Sequence, residues 1–378
     1  MTQPLKGLRV LELARVLAGP WAGQTLADLG AEVVKVESPS GDETRGWGPP
    51  FHEDGSAAYF HSTNRGKKSI VADFRNSADL TLVKKLASKA DILIENFKVG
   101  GLKKYSLDYE SLNQVNPKLI YCSITGFGQN GPYSNRPGYD FIIQAMGGIM
   151  DLTGEKDGLP QKPGIAYADI FTGLYSVIAI MSGLKALDQT GKGTHIDMAL
   201  FDTQLGVLAN QASSYFSTGD IPKRMGNAHP VIVPYQVFEV KDGALVIACG
   251  NNNQFVRMCE ALNLKLHLQD EFKENHLRVK NRSTLLPKIE FCLKELTKRE
   301  VLDKLQNAGV PAGPINNVGE ALNDEQSLFR EMKKEHGESF YLNNPIKFNN
   351  LDLANNSSAQ KLDADKKEVT KKSFWEDT

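Results

Sequence analysis

One acidic residue in this chain stands where a carboxylate could do covalent chemistry. Asp169 lies in KPGIAYADIFTGLYSVIAIMSGLKAL, between a Gly-bearing extended segment and a strongly apolar stretch that predicts a buried helix over 170–187. An Asp at that place is either the N-cap of the helix, accepting its first free N–H groups, or a nucleophile that attacks an acyl carbon. The two roles are compatible, because the capped helix N-terminus also stabilises the carboxylate as an anion.

The elements that must position this acid read as an α/β fold. LRVLEL predicts a strand, a helix follows over 21–29, Gly30 stops it, and EVVKVE is a second strand, which makes a βαβ unit with parallel strands. A helix over 78–88, strand DILIEN, a helix near 109–115 and strand LIYCSI repeat the pattern. This predicts a doubly wound, Rossmann-like large domain. Glu37 ends the second strand where a dinucleotide's ribose-binding acid would sit, but the first loop offers only Gly19 and Gly23 around Pro20, with no GxG. That mismatch argues against NAD.

After TGKGTHIDMAL a mainly apolar helix continues to about 215, and a polar linker follows over 216–224. Strands VPYQVFEV and ALVIACG around Asp242-Gly243 form a hairpin that opens a smaller α+β domain over 225–322. The large domain is expected to comprise 1–215 and 325–378, its last stretch (from Asn355) lying loosely on the surface.

Composition narrows the classes. With 378 residues, 41% of them hydrophobic, and a net charge of −1, the chain has enough for two cores and no electrostatic case for nucleic acid or a membrane surface. Cys122, Cys249, Cys259 and Cys292 form no CxxC, and the seven histidines form no HExxH, so reduced thiols and no metal site are expected. No apolar run is expected to span a bilayer, and MTQPLKGLRV enters a strand without signal or transit character. A cytoplasmic protein is the expectation.

Six segments, RVLAGPWAGQTLADLGAEVVKVESPSGDETRGWGPPF, NRGKKSI, ILIENF, SITGFGQNGPYSNRPGYDFIIQAMGGIMDLTGE, PGIAYADIFTGLY and GNAHPVIVPYQVFEVKDG, together resemble family III CoA-transferases. That superfamily includes formyl-CoA transferase, carnitine CoA-transferase and α-methylacyl-CoA racemase. The likeness spans about residues 5–322, and GNAHPVIVPYQVF, CGNNNQF, NHLRVKNR and AGVPAGPINN look most like its succinate–hydroxymethylglutarate branch.

The resemblance implies Asp169 as nucleophile, coenzyme A as part of substrate and product, no metal, and a homodimer of two interlocked rings. It implies CoA contacts at Leu17 and Ala18, at Ala72, Asp73, Phe74 and Arg75, at Asn96, Phe97 and Lys98, and at Lys104, Arg136, Tyr139 and Asp140. By the residues alone, Asn96 is equally a helix cap, Phe97 core, and Lys104 and Arg136 solvated charges. The loop from Gly226 and Asn227 to His229 and Pro230 matches a mobile glycine loop over the reacting Asp.

Several departures carry information. Leu17 replaces the Gln of formyl-CoA transferase, and GNAHP keeps one glycine, which argues against formate or oxalate. Tyr139 stands where racemases have His, and its ordinary pKa near 10 suits α-proton transfer poorly. The C-terminal SSAQKLDADKKEV has no family counterpart. The expected reaction is therefore CoA transfer from succinyl-CoA to a dicarboxylic acid, with a racemase or a non-catalytic acyl-CoA binder as alternatives. A second substrate carboxylate would need a cation, for which Arg15, Arg45 and His229 are candidates.

Overall fold

The computed structural model of the chain describes residues 2–336, 339–354 and 358–376. They form two compact units, one of residues 1–150, 162–220 and 326–378, the other of residues 151–161 and 221–325. The second unit thus takes 151–161 from the stretch that the sequence reading gave wholly to the large domain.

The first unit is built on six parallel strands: β1 (Arg9–Glu12), β2 (Glu32–Glu37), β3 (Lys67–Val71), β4 (Ile92–Glu95), β5 (Ile120–Thr125) and β6 (Thr194–Ala199). Their order is β3-β2-β1-β4-β5-β6, so the chain reverses direction of winding between β1 and β4. Loops leaving those two strands flank the crevice in which such sheets bind ligands. Both faces are covered, which is why β1, β4 and β5 carry apolar residues towards both. Val10, Ile92, Ile94 and Cys122 face one core with α1 (Ala18–Asp28), while Leu11, Val34, Leu93 and Tyr121 face the other with α3 (Ser77–Lys89) and α4 (Tyr109–Val115). In chain order α2 (Ala58–Asn64) precedes β3, and it packs on α1.

Gly19 and Gly23, which failed as a dinucleotide fingerprint, have a packing reason. A Cβ on Gly19 would lie 2.3 Å from the Cβ of Ala14, and one on Gly23 would lie 1.8 Å from Oε2 of Glu12. Glycine lets α1 rest on a buried carboxylate.

Three further helices are α5 (Asp140–Met146), α6 (Ile149–Leu152) and α7 (Tyr167–Thr190). The last is longer at both ends than its apolar core predicted. By length and composition it could cross a membrane, with a mean hydropathy of 1.6 over its best window, which corrects the expectation that no run would qualify. Its hydroxyls explain the underestimate, since Thr172, Ser176 and Ser182 donate to carbonyls one turn back and satisfy themselves within the helix. Here 33% of that window is buried, and Gly173 brings α7 against Trp21 and the carbonyl of Ala18.

The apolar stretch ending near 215 is not one helix. It divides into Leu200–Gly206 and Ala209–Thr218, with Ala209 at φ 46° where the second begins. The polar C-terminal stretch is not loose either. Ser69 and Val71 of β3 donate their N–H groups to the carboxylates of Asp365 and Asp363, at 2.8 and 2.7 Å, and Asp365 N–H returns to Ser69 O. Trp375 is buried and donates to Glu32 at 2.7 Å.

The second unit holds an antiparallel sheet of β7 (Tyr235–Val240), β8 (Gly243–Ala248) and β9 (Ala312–Pro314). Phe238, Leu245, Ile247, Phe255, Met258, Ile289 and Leu305 form its core. Within it Arg278 is wholly buried, donating to the carbonyls of Val233, Phe272 and Lys273 and to Asn252 Oδ1, with Phe255 against its guanidinium face.

Candidate active site

Asp169 is not the cap of its helix. Ala166 holds that position and offers no side-chain bond, while Asp169 is the third residue of α7. The cap comes from elsewhere: Asp140, the first residue of α5, accepts the N–H groups of Ala168 and Asp169 at 2.9 and 3.4 Å. Its other oxygen accepts Gln144 Nε2 at 2.7 Å. Among the described residues no hydrogen-bond donor reaches the Asp169 carboxylate itself.

This arrangement leaves Asp169 poorly stabilised as an anion. Burial first, and the neighbouring Asp140 charge second, push its pKa up to about 7. A helix N-terminus would pull the other way by about 0.3–1 kcal/mol, but Asp140 already occupies those N–H groups. Desolvation wins, and the result is a carboxylate whose ionised form is held high in free energy. Tyr59 of α2 lies in the same field; burial, then Asp169 and Asp140, push its phenol up to about 12, so it remains a hydrogen-bond donor. No motif in the sequence marked Tyr59.

A cavity of about 340 Å³ at the C-terminal ends of β1, β2 and β3 gathers several expected contacts: Arg15, Ala72, Asp73, Phe74, Arg75 and Phe97. Phe74 stands 6.2 Å from Phe97 and 5.4 Å from Tyr105, forming an aromatic wall suited to a flat or aliphatic group. Ser38 to Asp42 also line it and were missed, although the turn-rich ESPSGD directly after a strand was their signal. Lys104 lies 4.8 Å over the ring of Tyr105, itself part of the lining. A larger cavity of about 530 Å³ surrounds the Asp28–Arg65 pair and contains none of the expected residues.

Other expected residues are used differently. Arg75 grips Asp73 through Nε and Nη2 at 2.9 and 2.8 Å, so its fork is not free. Asn96 neither caps a helix nor points its amide outward; Oδ1 accepts Arg15 N–H at 3.0 Å and Nδ2 donates to Arg15 O at 2.7 Å. Lys98 is exposed, Arg136 stacks on Tyr133 at 3.9 Å, and Tyr139 is 60% exposed, none lining the cavity. Leu17 is buried as the N-cap of α1 and Ala18 begins that helix, which has no side-chain cap.

Arg45 corrects the sequence expectation of a free substrate cation. It is bidentate with Glu37, both contacts at 2.7 Å, and lies flat on Phe60 at 3.7 Å. Arg15 pairs with Glu43, but both partners are about half exposed. In the second unit Gly226 has φ 58° and Asn227 is exposed beside it, but the loop is tied down from His229 onward. His229 N–H donates to Tyr235 O, and Arg282 donates to the carbonyls of His229 and Pro230. Burial, then Arg282, lowers the His229 pKa, so the ring is neutral near pH 7 and is no counter-ion for a carboxylate.

The six-stranded parallel scaffold thus carries a largely buried acid at a helix start capped by Asp140 and, at the sheet's C-terminal crevice, a mixed aromatic and polar cavity. The chain belongs to CoA-transferase family III, whose model matches residues 5–366. It is 53% identical over 337 residues to succinate–glutarate CoA-transferase of Agrobacterium fabrum, covering 87% of this chain and 84% of that one. It is 44% identical to human succinyl-CoA:glutarate CoA-transferase, covering 88% and 77%. A CAIB/BAIF family protein from Brucella suis superposes with a TM-score of 0.88 at 55% identity, over 98% of this chain and all of that one. The resemblance read from the six segments is thereby confirmed, and the enzyme class with it.

Proposed function

We propose that this CoA-transferase moves CoA from succinyl-CoA to a dicarboxylic acid of about glutarate's size, with Asp169 as the covalent nucleophile. The succinate- and glutarate-linked names of its relatives support the substrate class. The single observation that carries the nucleophile is a carboxylate without hydrogen-bond donors, raised to about 7.

An Asp169 oxygen attacks the thioester carbon, the C–S bond breaks, and CoA thiolate leaves a mixed anhydride. The thiolate attacks the aspartyl carbonyl, releasing succinate and leaving an aspartyl-CoA thioester. An acceptor carboxylate then attacks the same carbonyl and expels thiolate, which returns to the acceptor's carbonyl and frees Asp169. Every step exchanges acyl groups of similar energy, and no net proton moves. The protein's task is to exclude water and to stabilise each oxyanion, for which the Tyr59 hydroxyl is the neighbouring donor.

Arg15 is the candidate for the acceptor's distal carboxylate. An exposed pair such as Arg15–Glu43 is worth about 0–1 kcal/mol, so a substrate carboxylate can take Glu43's place. The reading also includes two interlocked copies in the cytoplasm. In favour of the dimer, Leu174, Tyr175, Ile178 and Met181 of α7 are exposed on a largely apolar helix. In favour of the compartment, all four cysteines are free.

The test offers succinyl-CoA with glutarate, 3-hydroxy-3-methylglutarate, oxalate, formate and acetate, read by mass spectrometry. A five- to six-carbon dicarboxylate should be the best acceptor. Preference for formate, acetate or oxalate would sink the substrate assignment, and a folded monomer by sedimentation at nanomolar concentration would sink the dimer.

A further inference from the structure

The loop that joins β1 to α1 is held in a conformation its own sequence disfavours. Val16 has φ 70°, the left-handed region, which a β-branched residue seldom occupies. Such strain persists only where the surroundings over-determine it. Here three side chains from outside the loop grip three consecutive residues. Lys35 Nζ donates to Ala14 O at 2.8 Å. Asn96 brackets Arg15 through both its N–H and its C=O. Asp42 accepts the Val16 N–H, at 3.1 and 3.3 Å to its two oxygens.

Two of these grips are anchored in a buried charge cluster. Lys35 pairs with Asp42 at 3.0 Å and with Glu12 at 3.2 Å, and Lys67 pairs with Glu12 at 2.9 Å. All four side chains are at most 2% exposed. Two carboxylates and two ammonium groups balance, so the cluster carries no net charge into the interior. Lys67 also donates to Pro20 O at 2.8 Å, inside the first turn of α1, so the cluster holds both ends of the segment. Thr44 fixes Asp42 in turn, donating N–H and Oγ–H to Oδ1. A buried ion pair of this kind is weak evidence of stability, and its best-attested use is to specify one conformation.

We propose that Asp42, with Asn96, is a positioning residue for acyl transfer: it holds Val16 in the left-handed conformation and so fixes the backbone of Leu17 and Ala18, which follow the cavity-lining Ala14 and Arg15 in the chain and at which the family resemblance implies contact with CoA. This rests on the CoA-transferase reading above. Asp42 touches no reacting atom. It acts through the Val16 N–H, and a displacement of that backbone by about 1 Å is of the size that costs on the order of 10²-fold in rate.

The experiment compares Asp42→Asn, Val16→Gly and the double variant, with wild type assayed in parallel on succinyl-CoA and glutarate. Asp42→Asn weakens the grip, Val16 relaxes, and kcat should fall by on the order of 10²-fold with a smaller rise in KM. Glycine adopts φ 70° without strain, so Val16→Gly in the Asp42→Asn background should recover much of kcat while thermal stability stays low. A merely structural Asp42 would instead lose activity in step with folded fraction, and the second change would not restore it. That result, or wild-type kcat in Asp42→Asn, overturns the proposal. If Asp42→Asn does not fold, Asn96→Ala carries the test, since it strands no buried charge: an unchanged kcat there overturns the proposal, and a lowered kcat recovered by Val16→Gly supports it. An inactive wild type would mean that the function reading itself had failed, a separate outcome.

Discussion

The carboxylate of Asp140 accepts the backbone N–H groups of Ala168 and Asp169, so one acid caps the helix on which the other stands. The cap therefore raises, by repulsion, the pKa of the group it helps to place. Asp140→Asn keeps the acceptor oxygen and removes the charge, with the Gln144 amide turning over. In the proposed mechanism Asp169 attacks as the anion, so kcat/KM should rise with pH through about 7 in the wild type. In the variant that limb should move to lower pH by about one unit. A limb that stays in place would show that burial alone sets it.

Asp169→Asn should abolish transfer and also stabilise the protein. The folded pKa of about 7 exceeds the ordinary 3.8, so the native state binds the extra proton and loses stability as pH rises between those values. The amide removes that cost. After discounting for partial exposure the gain at pH 8 is about 1–2 kcal/mol, a Tm rise of a few degrees. Calorimetry at pH 8 showing a lower Tm would contradict it.

Arg15→Ala and Arg45→Ala should part company. The first should raise KM for a dicarboxylate by about tenfold and leave Tm within a degree or two, since its pair is exposed. The second strands Glu37, which is almost wholly buried, and should cost about 3–5 kcal/mol in denaturant titration. Equal effects of the two on KM would return Arg45 to the substrate.

Glu95 ends β4 and is buried, receiving Phe97 N–H at 2.7 Å. Burial pushes its pKa from the ordinary 4.5 to about 7. Its stabilising proton is fully present below the unfolded value and is lost as pH rises through about 7. Stability should therefore decline between pH 5 and 8, and Glu95→Gln should flatten that decline in urea titrations. An unaltered slope would clear Glu95 of the effect.

Gly23→Ala should be severe for its size. The added methyl would lie 1.8 Å from a Glu12 oxygen in the charge cluster, so α1 or the carboxylate must move. A loss of about 3 kcal/mol or more is expected from the urea midpoint, against about a 1 kcal/mol gain for Gly→Ala in an exposed helix.

The parallel sheet was legible because β1, β4 and β5 need apolar residues on both faces, and that pattern survives in four to six residues of sequence. The place of Asp169 at the start of the long apolar helix was legible for the same reason. Its cap was not, because Asp140 lies 28 residues from the N–H it accepts. Nor could Lys35 be read, since in EVVKVE it looks like a solvated charge, and only Glu12 and Asp42, brought in from two other segments, make its burial tolerable. The Arg45–Glu37 pair was within reach, eight residues apart across a short loop. A basic residue near a candidate site was read as a ligand when a strand-end glutamate already claimed it.

The Asp363 and Asp365 carboxylates occupy N–H groups of β3, the sheet's first outer strand, where another chain's carbonyls could otherwise dock. The tail thus serves as a seventh strand made of side chains, which saturates the margin without extending it. A version shortened before residue 358 would leave an open template for strand addition. Its failure would then be oligomers and fibres growing edge to edge rather than simple loss of activity, and an affinity tag fused there would add chain to the segment that prevents them.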